Sequence, residues 1–480
     1  MPATPHFYLW LNGEARKGIS KITVNNPYDD KPVATVSVAG RRLLREAIKS
    51  AGVAFHRLRI MSRFERAEIL ANMADGLNDA KTETIDALIL EGGKPRMFAE
   101  QEHARTLAVF SWAAEEAKRF AGEQIPMDGM QRGIGYEGYT RREPIGPILG
   151  ICPFNFPLNL VAHKVAPALA VGNSIIIKPA SSTPISALIL ARISSDAGAP
   201  AGSVNVLPVR RHRDIPVLLE DEHIKMISFT GSAAVGWSLK TQIGKKRIAL
   251  ELGGNSGSIV DVDADIDWAA ERLALGSFAQ AGQSCIAVQR IYAHQGIYDA
   301  FLERLVEQAK DTKAGKPINK DVVVGPVISS NAADRIMAWI EEAVTAGATI
   351  ACGGKRLKLG SGNVIEPTVL TDVKEDMRVC RKEVFGPVVT VSRFASIEDA
   401  IARVNQSDSG LQAAIFSNSM AHVQSAVDGL EVGGIVVNDF PTYRVDHMPY
   451  GGVKNSGQGR EGVRYTMLEM TEEKMVVIRR

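Results

Sequence analysis

Three short stretches of the chain combine residue types that covalent catalysis uses. In Gly282-Gln-Ser-Cys285, small polar residues precede a cysteine, and a thiolate presented on such a loop is a nucleophile. In Leu250-Glu-Leu-Gly-Gly254, a carboxylate stands at the expected end of a strand, and the two glycines let another backbone segment approach closely. In Phe229-Thr-Gly-Ser-Ala-Ala-Val-Gly236, a glycine and a serine leave an apolar strand and open a helix, which places Gly231 and backbone N–H groups where a pyrophosphate could sit. The spacing is GxxxxG, which differs from the GxGxxG dinucleotide fingerprint. Taken singly, these are also ordinary features: a tight turn, a solvated acid and an inert core thiol.

The surrounding pattern supplies elements to position them. Tyr8 to Leu11 reads as a strand, and Asn12-Gly13 after it as a hairpin turn whose two residues tolerate positive φ. Helical spacing runs from about Arg41 to Phe120. From Gly146 short apolar runs alternate with helical segments: Gly146–Cys152, Ser174–Ile177, Val204–Leu207, Met226–Phe229 and Ile248–Leu252. Pro157 to Ala170 and Thr183 to Ala197 have the helical period, the second opening on a Thr-Pro cap and closing at Gly198. This βαβ alternation predicts a parallel sheet with helices on both faces. A second series follows about Asn255, with helices near Asp265–Phe278 and Tyr298–Thr312 and strands near Val388–Val391 and Ile435–Val437.

At 480 residues the chain is too long for one ordinary core. Its 56 basic and 54 acidic residues leave a net charge of +2, so no strong field directs it to nucleic acid or a membrane surface. The N-terminus lacks the pattern of a secretory signal, and the apolar runs are too short to span a bilayer. The four cysteines form no CxxC pair and no HExxH occurs, so neither a metal site nor a disulfide framework is expected, and reduced thiols in a cytoplasm fit best.

In chain order, Pro153-Phe-Asn-Phe-Pro157, Lys178-Pro-Ala180, Phe229 to Gly236, Glu251-Leu-Gly-Gly254, Cys285, Glu383-Val-Phe-Gly-Pro387 and Pro449-Tyr-Gly-Gly452 resemble the aldehyde dehydrogenase superfamily. The resemblance extends from about Asn12 to the C-terminus. It implies NAD(P)-dependent oxidation of an aldehyde to a carboxylic acid, with Cys285 as nucleophile, Glu251 as the base that activates the hydrolytic water, and Asn155 as an oxyanion donor. By the same resemblance Phe154, Lys178, Ser181, Gly231, Ser232, Leu252, Glu383 and Phe385 are cofactor contacts. It further implies a Rossmann-like α/β cofactor domain (1–122 and 143–253), an α/β catalytic domain (254–451) and a small β oligomerisation extension (123–142 and 466–480), assembled as a homodimer or homotetramer.

Two positions depart from the common pattern. Many NAD-preferring relatives carry a glutamate three residues after the lysine; here it is Ser181, which removes repulsion of a 2′-phosphate and favours NADP, with NAD also open. Arg105 and Arg444 resemble positions that hold an anionic substrate end, but Ser284 stands where relatives acting on phosphorylated substrates often have arginine. The run from Thr442 to Gly462 looks like the branch of lactaldehyde and non-phosphorylating glyceraldehyde-3-phosphate dehydrogenases. A cysteine hydrolase or acyltransferase would lack an evident histidine base. Retention of both Cys285 and Glu251 argues against a non-catalytic derivative and against release of the thioester to a thiol.

Overall fold

The computed structural model describes residues 4–210 and 212–480. It is an α/β molecule built on two large, mostly parallel sheets, as the alternation of patterns predicts. In the first, the strands Ile148–Ile151, Ile175–Lys178, Val204–Val206, Met226–Thr230 and Arg247–Glu251 run parallel. The first three are buried along their whole length, as parallel strands covered by helices on both faces must be.

The order of these strands matters more than their number. Ile148–Ile151 is first in the chain but lies in the middle, with the next two strands on one side and the last two on the other. The chain therefore reverses direction across the sheet between Ile148–Ile151 and Met226–Thr230, and the connections leaving these two strands diverge. The crevice at such a switch point is where open α/β sheets bind ligands. The short hairpin Leu9–Leu11 and Glu14–Arg16 closes the far edge, with Asn12 at φ 56° and Gly13 at φ 80° as its turn.

The second sheet has seven strands, ordered Thr349–Cys352, Thr368–Thr371, Val388–Phe394, Val288–His294, Ser256–Val260, Gln412–Phe416 and Gly434–Val437. All neighbours are parallel except the first pair. A third sheet pairs Tyr136–Pro144 antiparallel with Thr471–Arg479 over nine residues, with Gln124–Ile125 on the other side. Separate buried clusters fill the molecule. One gathers the N-terminal helices against one face of the first sheet, a second fills that sheet's opposite face, and a third packs around the second sheet. No helix among the described residues is long and apolar enough to cross a membrane.

One local expectation is corrected. The helix Ile185–Asp196 is not capped by Thr183, whose hydroxyl is buried without a partner. Its first amides, at Ile185 and Ser186, donate instead to the carboxylate of Glu91 at 2.6 and 2.9 Å. The helix Asn159–Val171 is capped likewise: the amides of Leu158 and Asn159 donate to Glu102 at 3.0 and 3.1 Å. A buried helix end satisfies its orphan N–H groups with whatever acceptor tertiary packing supplies, and here that acceptor is remote in sequence.

Candidate active site

A cavity of about 250 Å³ opens at the switch point, between the two large sheets. Its walls come from the connection after Ile148–Ile151, from the turns after Met226–Thr230 and Arg247–Glu251, and from the loop carrying Cys285. Of the residues singled out from sequence, Cys285, Glu251, Asn155, Phe154, Gly231, Ser232, Leu252, Glu383, Phe385, Arg105 and Arg444 all line it.

The loop carrying Cys285 is held by an unusual turn. After the helix Ile266–Phe278 the chain turns left-handed at three successive residues, Gln280 (φ 53°), Ala281 (φ 56°) and Gly282 (φ 65°). Two of these carry a Cβ, a strain of about 1 kcal/mol or more each that the surroundings must offset. Side chains do so: Gln280 donates to the Asn155 carbonyl at 2.6 Å, while Gln283 accepts from the Ile328 amide at 2.9 Å and donates to Pro326 at 3.3 Å. The same turn that aims Cys285 into the cavity thus ties it to Asn155. On its other side a Cβ at Gly254 would collide with the Cys285 carbonyl, which explains the glycine after Glu251.

The thiol of Cys285 lies 2.9 Å from the Tyr450 hydroxyl. Burial pushes the thiol up to about 12, partly opposed by that hydrogen bond. Asn155 donates from Nδ2 to the Gln283 carbonyl at 3.0 Å, and its Oδ1 is buried without a partner. One amide proton is therefore left for an oxygen in the cavity beside the nucleophile.

Glu251 is 5% exposed, and neither carboxylate oxygen has a hydrogen-bond partner. Burial, and then the nearby Glu461, push its pKa well above the ordinary value, against the pull of Arg444 and Lys164. Burial alone would also raise Glu461, yet the surrounding His163, Arg444 and Lys164 hold it low. Two buried carboxyls thus share a site and are pushed in opposite directions, the arrangement by which proteins set neighbouring carboxyls apart.

The remaining wall is charged. Arg105 chelates Asp446 with two hydrogen bonds, of 3.1 and 2.7 Å, and His163 binds the same carboxylate at 2.8 Å. Arg444 donates to Glu461 at 2.8 Å and lies 3.9 Å above the Tyr450 ring. Both arginines line the cavity while engaged in internal ion pairs, and Arg444 is buried.

At the other wall, Ser232 caps the helix Ala233–Lys240 without a side-chain hydrogen bond to it, leaving its hydroxyl and the first amides available to an anion. Any side chain at Gly236 would strike Leu252, so this helix packs closely on the strand end. Glu383 accepts from the Gly254 amide at 3.1 Å, and burial raises it to about 7. Phe385, at φ 49°, stands edge-on to Phe154 with ring centres 5.8 Å apart. Lys178 and Ser181 are not among the lining residues: they end the neighbouring strand, Lys178 buried with Nζ on the Pro179 carbonyl at 3.1 Å, Ser181 exposed with its hydroxyl 3.4 Å from the Val209 carbonyl. These groups fit a dinucleotide laid across the switch point, with phosphate at the helix start and ribose hydroxyls toward carboxylate and ammonium.

Sequence reasoning missed Tyr450 as a functional side chain, although it quoted the motif that contains it. It also missed Asn159 and Glu461, which line the cavity, and Lys164, which pairs with Glu461. A polar Asn159 at the head of a largely apolar helix was a usable signal; the partners of Glu461 and Lys164 were not.

Comparison with known proteins agrees with this geometry. The model of the aldehyde dehydrogenase family matches residues 13–476. The chain is 42% identical over 470 residues to a 3-sulfolactaldehyde dehydrogenase of Priestia megaterium, covering 98% of this chain and 97% of that one. Among solved structures it resembles aldehyde dehydrogenase 21 of Physcomitrella patens in complex with the product succinate, at a TM-score of 0.96, 40% identity and 99% of each chain. It also resembles glyceraldehyde-3-phosphate dehydrogenase GapN of Methanocaldococcus jannaschii complexed with NADP, at a TM-score of 0.91, 38% identity, 96% of this chain and 99% of that one.

Proposed function

The chain belongs to the aldehyde dehydrogenase family, and from that premise we propose that it oxidises a small hydroxylated or singly anionic aldehyde to the carboxylic acid, with NADP or NAD as oxidant, through a thioester on Cys285. The observation that carries this reading is the convergence of a thiol, an amide donor and a buried carboxyl with unpartnered oxygens on one cavity.

Cys285 adds to the aldehyde carbon, and the carbonyl oxygen gains charge where the Asn155 amide and the Cys285 backbone N–H can meet it. Phe385 and Glu383 would hold a nicotinamide at their face of the cavity, and that group would supply the hydride acceptor. What remains on Cys285 is an acyl thioester. Glu251 then takes a proton from water as the water attacks the acyl carbon, and the acid leaves with the thiolate restored. The upward push on its pKa suits that task, because it makes the ionised carboxylate a stronger base. The balance is one aldehyde and one water converted to one acid, with two electrons passed to the cofactor.

Around the cavity Arg105 pairs with Asp446, and Arg444 and Lys164 pair with Glu461. The two wall arginines, each already paired with one carboxylate, suit a substrate end with one negative charge, such as a carboxylate or sulfonate, better than a doubly charged phosphate. Ser181 supports NADP, because a hydroxyl near Lys178, in place of a carboxylate, favours a 2′-phosphate. The domain boundaries that the resemblance implies, at 122/123, 142/143, 253/254, 451 and 466, belong to this proposal. The exposed Met475, Val477 and Ile478 on the long strand Thr471–Arg479 support assembly as a dimer or tetramer. The four unpaired cysteines support a reducing, cytoplasmic setting.

The test is a panel of aldehydes followed at the reduced-nicotinamide absorbance, with NAD and NADP run separately and Cys285→Ala as control. The proposal requires cofactor reduction with at least one small oxygenated aldehyde and none with the variant, whose cofactor affinity stays near that of the native protein.

A further inference from the structure

Asn159 begins the helix Asn159–Val171, is 1% exposed and lines the cavity, yet its Nδ2 has no hydrogen-bond partner. The other long polar side chains on this helix are engaged: His163 binds Asp446, and Lys164 binds Thr230 and Ser228 at 2.7 and 3.1 Å. An amide N–H group buried without a partner is costly, and a fold keeps one where a ligand completes it.

Its placement tells which part of a ligand it meets. Four residues earlier on the same connection, Asn155 sits beside the nucleophile loop, bonded to the carbonyl of Gln283. The backbone amide of Asn159 is fixed by Glu102 of the helix Arg96–Arg119, which is itself paired with Lys94, and one turn beyond Glu102 on Arg96–Arg119 is Arg105. Asn159 therefore stands between the donor for the aldehyde oxygen and the cation for the far end of the substrate. A carboxamide is neutral and offers both a donor and an acceptor, which matches a hydroxyl, itself both. A charged substrate atom would be served by the arginines instead.

We propose that Asn159 forms the subsite for a hydroxyl on the carbon next to the aldehyde, so that the cavity selects 2-hydroxyaldehydes. This rests on the reading of the cavity as an aldehyde oxidation site. One fixed hydrogen-bonding group on that carbon also distinguishes its two configurations, so one enantiomer of such an aldehyde is preferred.

The experiment compares lactaldehyde with propionaldehyde, which differ by that one hydroxyl, in the native enzyme and in Asn159→Leu, with Asn159→Ala as a second variant and thermal unfolding measured on each. The native enzyme is expected to favour lactaldehyde. Asn159→Leu should lower kcat/KM for lactaldehyde roughly tenfold or more while propionaldehyde changes less than about twofold, because a lost hydrogen bond to an uncharged group has about that weight. The preference between lactaldehyde enantiomers should fall with it. The Tm of Asn159→Leu should not drop, since the change removes an unpartnered amide. Equal losses on both aldehydes in either variant, or a native enzyme indifferent to the hydroxyl, would overturn the subsite alone. A native enzyme that oxidises neither aldehyde, nor any other in the panel above, would overturn the reading of the cavity and this inference with it.

Discussion

Replacing Tyr450 with phenylalanine removes one oxygen and little else. Arg444 packs on the ring face at 3.9 Å, and the ring stays. What goes is the hydroxyl 2.9 Å from Sγ of Cys285, the contact that opposes the upward push of burial on the thiol. With the thiol near 12, only about one molecule in ten thousand carries a thiolate at pH 8, since each pH unit is a factor of ten. A hydrogen bond to a charged group contributes about 1.5–3 kcal/mol, and one pKa unit is about 1.4 kcal/mol, so the loss raises the thiol by roughly one to two units. The assay is alkylation of Cys285 by iodoacetamide, followed by peptide mass so that the half-buried Cys352 is counted separately. The native rate should climb about tenfold per pH unit from 7 to 10 without a plateau, and the variant should run parallel but roughly 10- to 100-fold slower. An unchanged or faster rate in Tyr450→Phe would refute the assignment of this hydroxyl to the thiolate.

Other expectations follow from the same geometry. Arg105→Leu and Arg444→Leu should each raise KM for succinic semialdehyde more than for propionaldehyde, and equal effects would remove them from anion recognition; Arg444→Leu should also lower Tm, since it strands Glu461 in the interior. Ser181→Glu should shift the ratio of kcat/KM for NADP over NAD toward NAD by roughly tenfold, a charge contact of about 1–2 kcal/mol, and an unchanged ratio would show that Ser181 does not face the ribose. Glu383 titrates near 7, so it is ionised above that pH and protonated below. If it accepts a ribose hydroxyl, cofactor affinity measured by tryptophan fluorescence should weaken as pH falls from 8 to 6, and Glu383→Gln should lose that dependence.

Local patterns made much of the scaffold legible. Asn12-Gly13 requires positive φ at both residues, and the hairpin forms there. The continuous apolar runs before Pro153, Pro179, Gly231 and Leu252 are the parallel strands, and the residues just beyond three of those ends, Phe154, Gly231, Ser232 and Leu252, meet at the cavity. The site's wiring was not legible because it is non-local. Arg105 finds Asp446 across 341 residues, and Asn155 finds Gln283 across 128, with no periodicity linking either pair. The left-handed turn at Gln280 and Ala281 breaks residue preference and exists only because Asn155, Pro326 and Ile328 hold it. Helix caps failed in the same way: Thr183 looked like a cap, but Glu91, from another helix, does the work. The positions of Lys178 and Ser181, one strand over from the cavity, also depend on strand order, which the sequence pattern leaves open.

The thioester on Cys285, hydrolysed with Glu251 as base, is the centre of the account, and the intact mass of Glu251→Gln tests it most directly. Mixed with NADP and a substrate aldehyde and quenched in acid, this variant should release about one equivalent of reduced cofactor and then stall. Its mass should rise by that of the acyl group, and peptide mapping should place the addition on Cys285. Steady turnover at the native rate with no added mass, or acyl mass on any other residue, would contradict it.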